Sequence, residues 1–155
     1  MIPTQVGLIY EFYSRPAFAK ITAGELQALA FVKNKTNNQA VILTPPYNEY
    51  LNLGGATPNI WDWFDTSYVA AFSDRRTYFD DYEQVDIMGY DAKNRIATKK
   101  TIFESTNIAD IKAAFAKSGA SILYYPKAMA PVVSPDKIGL TKIFENSDVA
   151  IWQTR

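Results

Sequence analysis

The side chains best suited to chemistry fall in three places. The first is Asp74-Arg75-Arg76, two adjacent guanidinium groups beside a carboxylate. A guanidinium fork can hold a phosphate or a carboxylate through two parallel hydrogen bonds. The same triplet also reads as an exposed ion pair at the start of a strand. The second is Asn59-Ile60-Trp61-Asp62-Trp63-Phe64-Asp65. Flat rings flanked by carboxylates suit sugar stacking, and Trp also settles at the headgroup level of a membrane. Against this, Trp61 and Trp63 can simply plug the edge of a sheet, because Trp is highly buried on average. The third is Asp80-Asp81-Tyr82-Glu83 with Asp86. Clustered hard oxygens bind Ca²⁺, but the spacing fits no EF-hand loop, and a solvated acidic loop is the plainer reading. Asp62 and Asp65 also form a carboxylate pair of the kind that serves as acid and base in glycoside hydrolysis. Arg75, Arg76, Trp61, Trp63 and Asp62 are thus the candidate contacts for a ligand or partner.

Composition removes most other chemistry. The chain has no Cys and no His. Disulfides, thiolate nucleophiles, His-based triads and Cys/His zinc sites are therefore excluded. The 16 basic and 16 acidic residues cancel without a Lys/Arg block, which argues against a nucleic-acid partner. Gly54-Gly55 carries neither a GxGxxG pattern nor a Walker lysine, so it is not a phosphate loop. No catalytic constellation, cofactor site or metal site is read from these residues.

The elements that must position the candidates follow from punctuation and period. Thr22-Ala23-Gly24-Glu25 is a capping box opening a helix over 23–33, with Leu26, Leu29 and Ala30 on one face. The apolar run 39–44, stopped by Pro45-Pro46, reads as a buried and parallel strand. Residues 47–65 read as an aromatic loop, 67–72 as a helical turn, 76–79 as a strand and 80–89 as irregular. A helix over 91–104 turns Ile96, Ile102 and Phe103 inward. Thr106 or Asn107 caps the next helix, in which Ile108, Ile111 and Phe115 share a face and Gly119 supplies the stop. A strand at 120–125 follows, then a Pro-containing loop and a hairpin turning at Asn146-Ser147. Alternating helices and strands predict an α/β fold: a Rossmann-like three-layer αβα sandwich, with a mostly parallel central sheet and a C-terminal antiparallel hairpin. Aromatic residues make up 14% of the chain, which suits a sheet with an aromatic core. By length, residues 21–155 form a single domain, preceded by an arm over 1–20. No apolar run approaches the roughly 18–20 residues that a spanning helix needs.

Four segments carry a resemblance when taken in order: Glu25 to Thr36 before Ala40 to Pro46, then Tyr68 to Tyr78, Ile108 to Tyr125, and Ile143 to Trp152. Together they resemble the C-terminal extracytoplasmic domain of polytopic prokaryotic membrane proteins of the GT-C glycosyltransferase type, over about residues 22–153. Two positions depart from that pattern, Asp74 and Ser147, where Gly is frequent in the group. The resemblance implies a parent protein that transfers a sugar from a lipid-phosphate donor, with catalytic acids in loops between membrane helices that lie outside this chain. The chain itself would then be a non-catalytic accessory domain on the extracytoplasmic face of a prokaryotic membrane, covering the active site or helping to select the acceptor. Its arm over 1–20 would join it to its own transmembrane portion, and carbohydrate or a lipid-linked sugar would be its other partner. Two alternatives stand beside this. One is a stand-alone carbohydrate- or protein-binding module using loop 59–65; the other is a small carboxylate-based hydrolase.

Overall fold

The computed structural model describes residues 2–15, 17–48, 57–63 and 65–154, with residues 2–5 and 63 described by their backbone alone. Gly54-Gly55 and Phe64 lie outside the described residues. Thr22 opens α2 (Ala23–Lys35) as its sequence predicts. Its hydroxyl accepts from the Glu25 amide at 3.0 Å, and the Glu25 carboxylate accepts from the Thr22 amide at 3.5 Å. The buried stripe, however, is Glu25, Ala28, Leu29 and Val32, while Leu26 and Ala30 face outward. The apolar period is therefore rotated so that a carboxylate shares the inward face. The chain then runs through β1 (Val41–Leu43), the short α3 (Ile60–Trp63), α4 (Tyr68–Ser73) and β2 (Arg76–Thr77).

The stretch 80–89, expected to be irregular, contains a helix, α5 (Tyr82–Ile87). Its start is capped from a distance: the Asp65 carboxylate accepts from the Asp81 amide at 3.2 Å and from the Tyr82 amide at 2.6 Å. Two longer helices follow, α6 (Lys93–Glu104) and α7 (Ile108–Ser118). Asn107 caps α7 through its side chain, 3.0 Å from the Ala109 amide. Gly119 ends it at φ 66°, a left-handed conformation that lets the chain turn at once into β3 (Ile122–Pro126). Short 3₁₀ turns at Lys127–Met129 and Pro135–Ile138 lead to the hairpin β4 (Thr141–Glu145) and β5 (Val149–Gln153).

These strands form one mixed sheet in the order β2-β1-β3-β5-β4. β1 pairs in parallel with both β2 and β3, while β5 pairs antiparallel with both β3 and β4. The expectation of a mostly parallel sheet is thus corrected. The tight turn at Asn146-Ser147 forces β4 and β5 to run in opposite directions. It is β5, apolar and buried from Val149 to Trp152, that takes the free edge of β3, which leaves the more polar β4 outermost.

Alternate strand residues face opposite ways, and two apolar clusters result. Ile42, Ile122, Tyr124, Val149 and Ile151 pack with Leu29 and Val32 of α2 and Val69 of α4. Leu43, Leu123, Tyr125 and Trp152 pack with Ile102 and Phe103 of α6 and Ile111 and Phe115 of α7. Buried in this way, each large apolar side chain contributes about 1.5–3 kcal/mol. The N-terminal helix α1 (Ile2–Ser14) differs from all the others: every side chain from Val6 to Arg15 is exposed, including Leu8 at 63% and Phe12 at 79%.

Candidate functional site

β1 lies between β2 and β3 and is parallel to both, so the chain passes from one side of β1 to the other. In open α/β sheets such a reversal leaves a crevice at the carboxyl ends of the strands. A cavity of about 40 Å³ is found there. Its floor is the chain leaving β1 (Thr44 to Tyr47) and leaving β3 (Tyr124 and Pro126). Trp61, Asp65, Thr66 and Tyr68 close one wall, and Asp80 closes another. Trp61 is held in place by the segment before α2: the Lys20 amide donates to the Pro58 carbonyl and the Ile60 amide to the Lys20 carbonyl, each at 2.9 Å.

Two buried polar clusters flank this crevice on opposite faces of the sheet, and only Thr44, Asp80, Tyr68 and Tyr124 of them line it. On one face Lys99 of α6, 4% exposed, donates to the Phe79 carbonyl at 2.8 Å and to Thr44 Oγ1 at 3.0 Å. It also lies 3.4 Å from Asp80 Oδ1, which accepts from the Thr44 hydroxyl at 2.5 Å. Burial pushes the Lys99 ammonium below its ordinary pKa and the Asp80 carboxyl above its own, each partly countered by the other. On the opposite face Glu25, 1% exposed, accepts from the Tyr68 hydroxyl at 2.9 Å. Burial raises its carboxyl pKa, and the nearby Asp148 adds to the rise. Tyr124, wholly buried beside Tyr68, has its hydroxyl pKa raised by burial as well. Asp148 itself is anchored by the Thr22 hydroxyl at 2.6 Å, which holds its carboxyl below the ordinary value.

The residues singled out in the sequence are distributed differently. Trp61 and Asp65 reach the crevice, but Asp65 spends both oxygens on the α5 amides. Asp62 sits half-buried on α3, and Trp63 ends that helix with its side chain outside the described residues. Arg75 turns away from the crevice. Its guanidinium donates to the Lys33 carbonyl at 2.7 Å, the Thr36 carbonyl at 2.9 Å and the Asp74 carbonyl at 2.8 Å, closing the end of α2. Arg76 is exposed on β2, the outermost strand on that side. The two guanidinium groups therefore do not share a task here. Of the acidic stretch, Asp80 is buried against Lys99, while Glu83 and Asp86 are exposed on α5. No three acidic side chains gather as a metal-binding group among the described residues.

Glu25, Lys99 and Thr44 were not singled out as site residues. The signal for Glu25 and Lys99 lies in helical spacing. Glu25 precedes Ala28, Leu29 and Val32, and Lys99 precedes Ile102 and Phe103, so each occupies an i, i+3, i+4 position on an inward face. No family model matches the chain, and no curated protein matches it.

Proposed function

We propose that this chain is a non-catalytic, membrane-attached module: the accessory extracytoplasmic domain of a GT-C-type membrane glycosyltransferase, joined to its membrane portion through α1. The observation that carries the attachment is α1 itself. Val6, Leu8, Ile9, Tyr10, Phe12 and Tyr13 are all more than half exposed, and at 100° per residue they share one broad face, with Gly7, Glu11 and Ser14 on the other. A helix with a broad exposed apolar face and a polar opposite side suits the plane of a membrane interface. Tyr10, Phe12 and Tyr13 followed by Arg15 also have the order of an interfacial aromatic belt with a flanking cation. No described helix is long and apolar enough to cross a membrane by itself. The transferase part of this reading rests on the resemblance of residues 22–153, and a Rossmann-like three-layer arrangement is supported by helices on both faces of the sheet. The domain would cover the active site or help select the acceptor.

Flotation with phosphatidylcholine–phosphatidylglycerol vesicles tests the attachment. The chain is expected to rise with the vesicles, and a variant carrying Leu8→Asp, Ile9→Asp and Phe12→Asp to stay behind while remaining folded. A chain that stays behind unmodified, or turns over a lipid-linked sugar alone, contradicts the proposal. A second reading is favoured by Trp61, which lines the crevice beside Asp65: a module that binds carbohydrate or protein through residues 59–65.

A further inference from the structure

We propose that the membrane surface taken by α1 is selected by loose lipid packing rather than by negative charge, and that Phe18 belongs to the same contact. The inference rests on attachment through α1 and names the kind of membrane that it takes. Its first support is charge. Among residues 2–14 there is no Lys or Arg, and Glu11 is the one ionised side chain. Arg15, next after the helix, pairs with it. Interfacial helices that seek anionic lipid line their polar face with Lys and Arg. Lacking them, α1 has only the burial of apolar area to hold it at a surface.

Shape is the second support. From Leu8 round to Tyr10 the apolar arc covers about 200° of the helix, with Ile9 at its centre. Tyr10 lies at one edge, where a ring bearing a hydroxyl suits headgroup level. Only Gly7, Glu11 and Ser14 fill the narrow remainder among the side chains described. Beyond α1, Ala17 and Phe18 join Leu8, Phe12 and Tyr13 in lining an open cleft of about 640 Å³. Phe18 is 66% exposed, so it stands out beside the helix as a second apolar wedge. A wide helix face and a separate ring enter a tightly packed leaflet only by parting its tails. Gaps between tails, as in a strongly curved bilayer of unsaturated lipid, admit both at lower cost.

Flotation of the full chain with dioleoylphosphatidylcholine vesicles of two diameters, about 30 nm and about 200 nm, tests this. Binding to the small vesicles is expected to be about tenfold tighter. It should change less than about twofold when phosphatidylglycerol replaces part of the lipid, and should not fall in about 1 M NaCl, where charge is screened within about 3 Å. Phe18→Ala leaves α1 whole and is expected to weaken binding about tenfold. Gly7 has open space beside it, so Gly7→Lys with Ser14→Lys adds two ammonium groups to the polar sector without a clash at Gly7. That variant is expected to bind large vesicles containing phosphatidylglycerol about tenfold more tightly than the unmodified chain does, and to lose the preference for small ones. Equal binding of the unmodified chain to both sizes, or binding that needs phosphatidylglycerol, would overturn the inference and leave attachment through α1 standing. Absence of binding to any vesicle would overturn both. A stable dimer by light scattering that Phe12→Asp turns into monomer would assign the face to a second copy, and would overturn the inference too.

Discussion

Lys99 and Asp80 show how a residue unremarkable in sequence becomes decisive in the fold. A buried ion pair gains little over a well-packed apolar pair, but removing one partner strands the other charge in a poor solvent. Lys99→Met is therefore expected to cost about 3–5 kcal/mol in urea unfolding, and adding Asp80→Asn to recover much of that loss. A double variant no more stable than the single one would count against the pairing. Glu25 gives a prediction in pH. Its folded pKa lies above the ordinary 4.5, so the folded chain holds that proton more tightly than the unfolded chain. Its contribution is full below about pH 4.5 and is lost as pH rises through the folded value. Measured against Glu25→Gln, the wild-type chain should lose relative stability as pH rises through that window; parallel curves would show that Glu25 is not strained by burial. Neither role was legible from residue type. Both residues stand at inward helical positions, but the partners they meet, Tyr68 and Asp80, are 43 and 19 residues away.

Helix ends separate what the sequence says from what it withholds. The caps at Thr22, Asn107 and Gly119 use neighbours within three residues, and each was readable as a local pattern. The start of α5 was not, because its cap is Asp65, 17 residues before Tyr82. Asp65→Ala is expected to melt α5 and cost about 1 kcal/mol, read as lost helical signal at 82–87 and a lower urea midpoint. Arg75 is the converse case: a group that looked ready for a phosphate is spent on the carbonyls ending α2. Arg75→Ala should lower stability by about 1 kcal/mol, and Arg75→Lys should restore little, since an ammonium cannot reproduce the planar fork. Equal stability in all three chains would free Arg75 for another role. The mixed sheet was half legible for a related reason. Strand period and hairpin chemistry mark β4 and β5, but they do not say which of them meets β3.

At the scale of the molecule, the body is closed by two apolar clusters on opposite faces of one sheet, and α1 stands outside both. The stretch 1–20, read from the sequence as an arm, is mostly taken up by α1. Its 13 residues span about 20 Å at 1.5 Å per residue, short of the roughly 30 Å of a bilayer core. An isolated helix of that length is marginal in water, so it gains most from a medium that accepts its apolar face. Hydrogen exchange of the intact chain, with and without phosphatidylcholine–phosphatidylglycerol vesicles, measures this directly. Amides of Val6 to Tyr13 should exchange quickly in water and slow by about tenfold or more with vesicles, while those of β3 and β5 stay equally slow in both. Rates at Val6 to Tyr13 that ignore the vesicles, or amides already slow without them, would contradict attachment through α1.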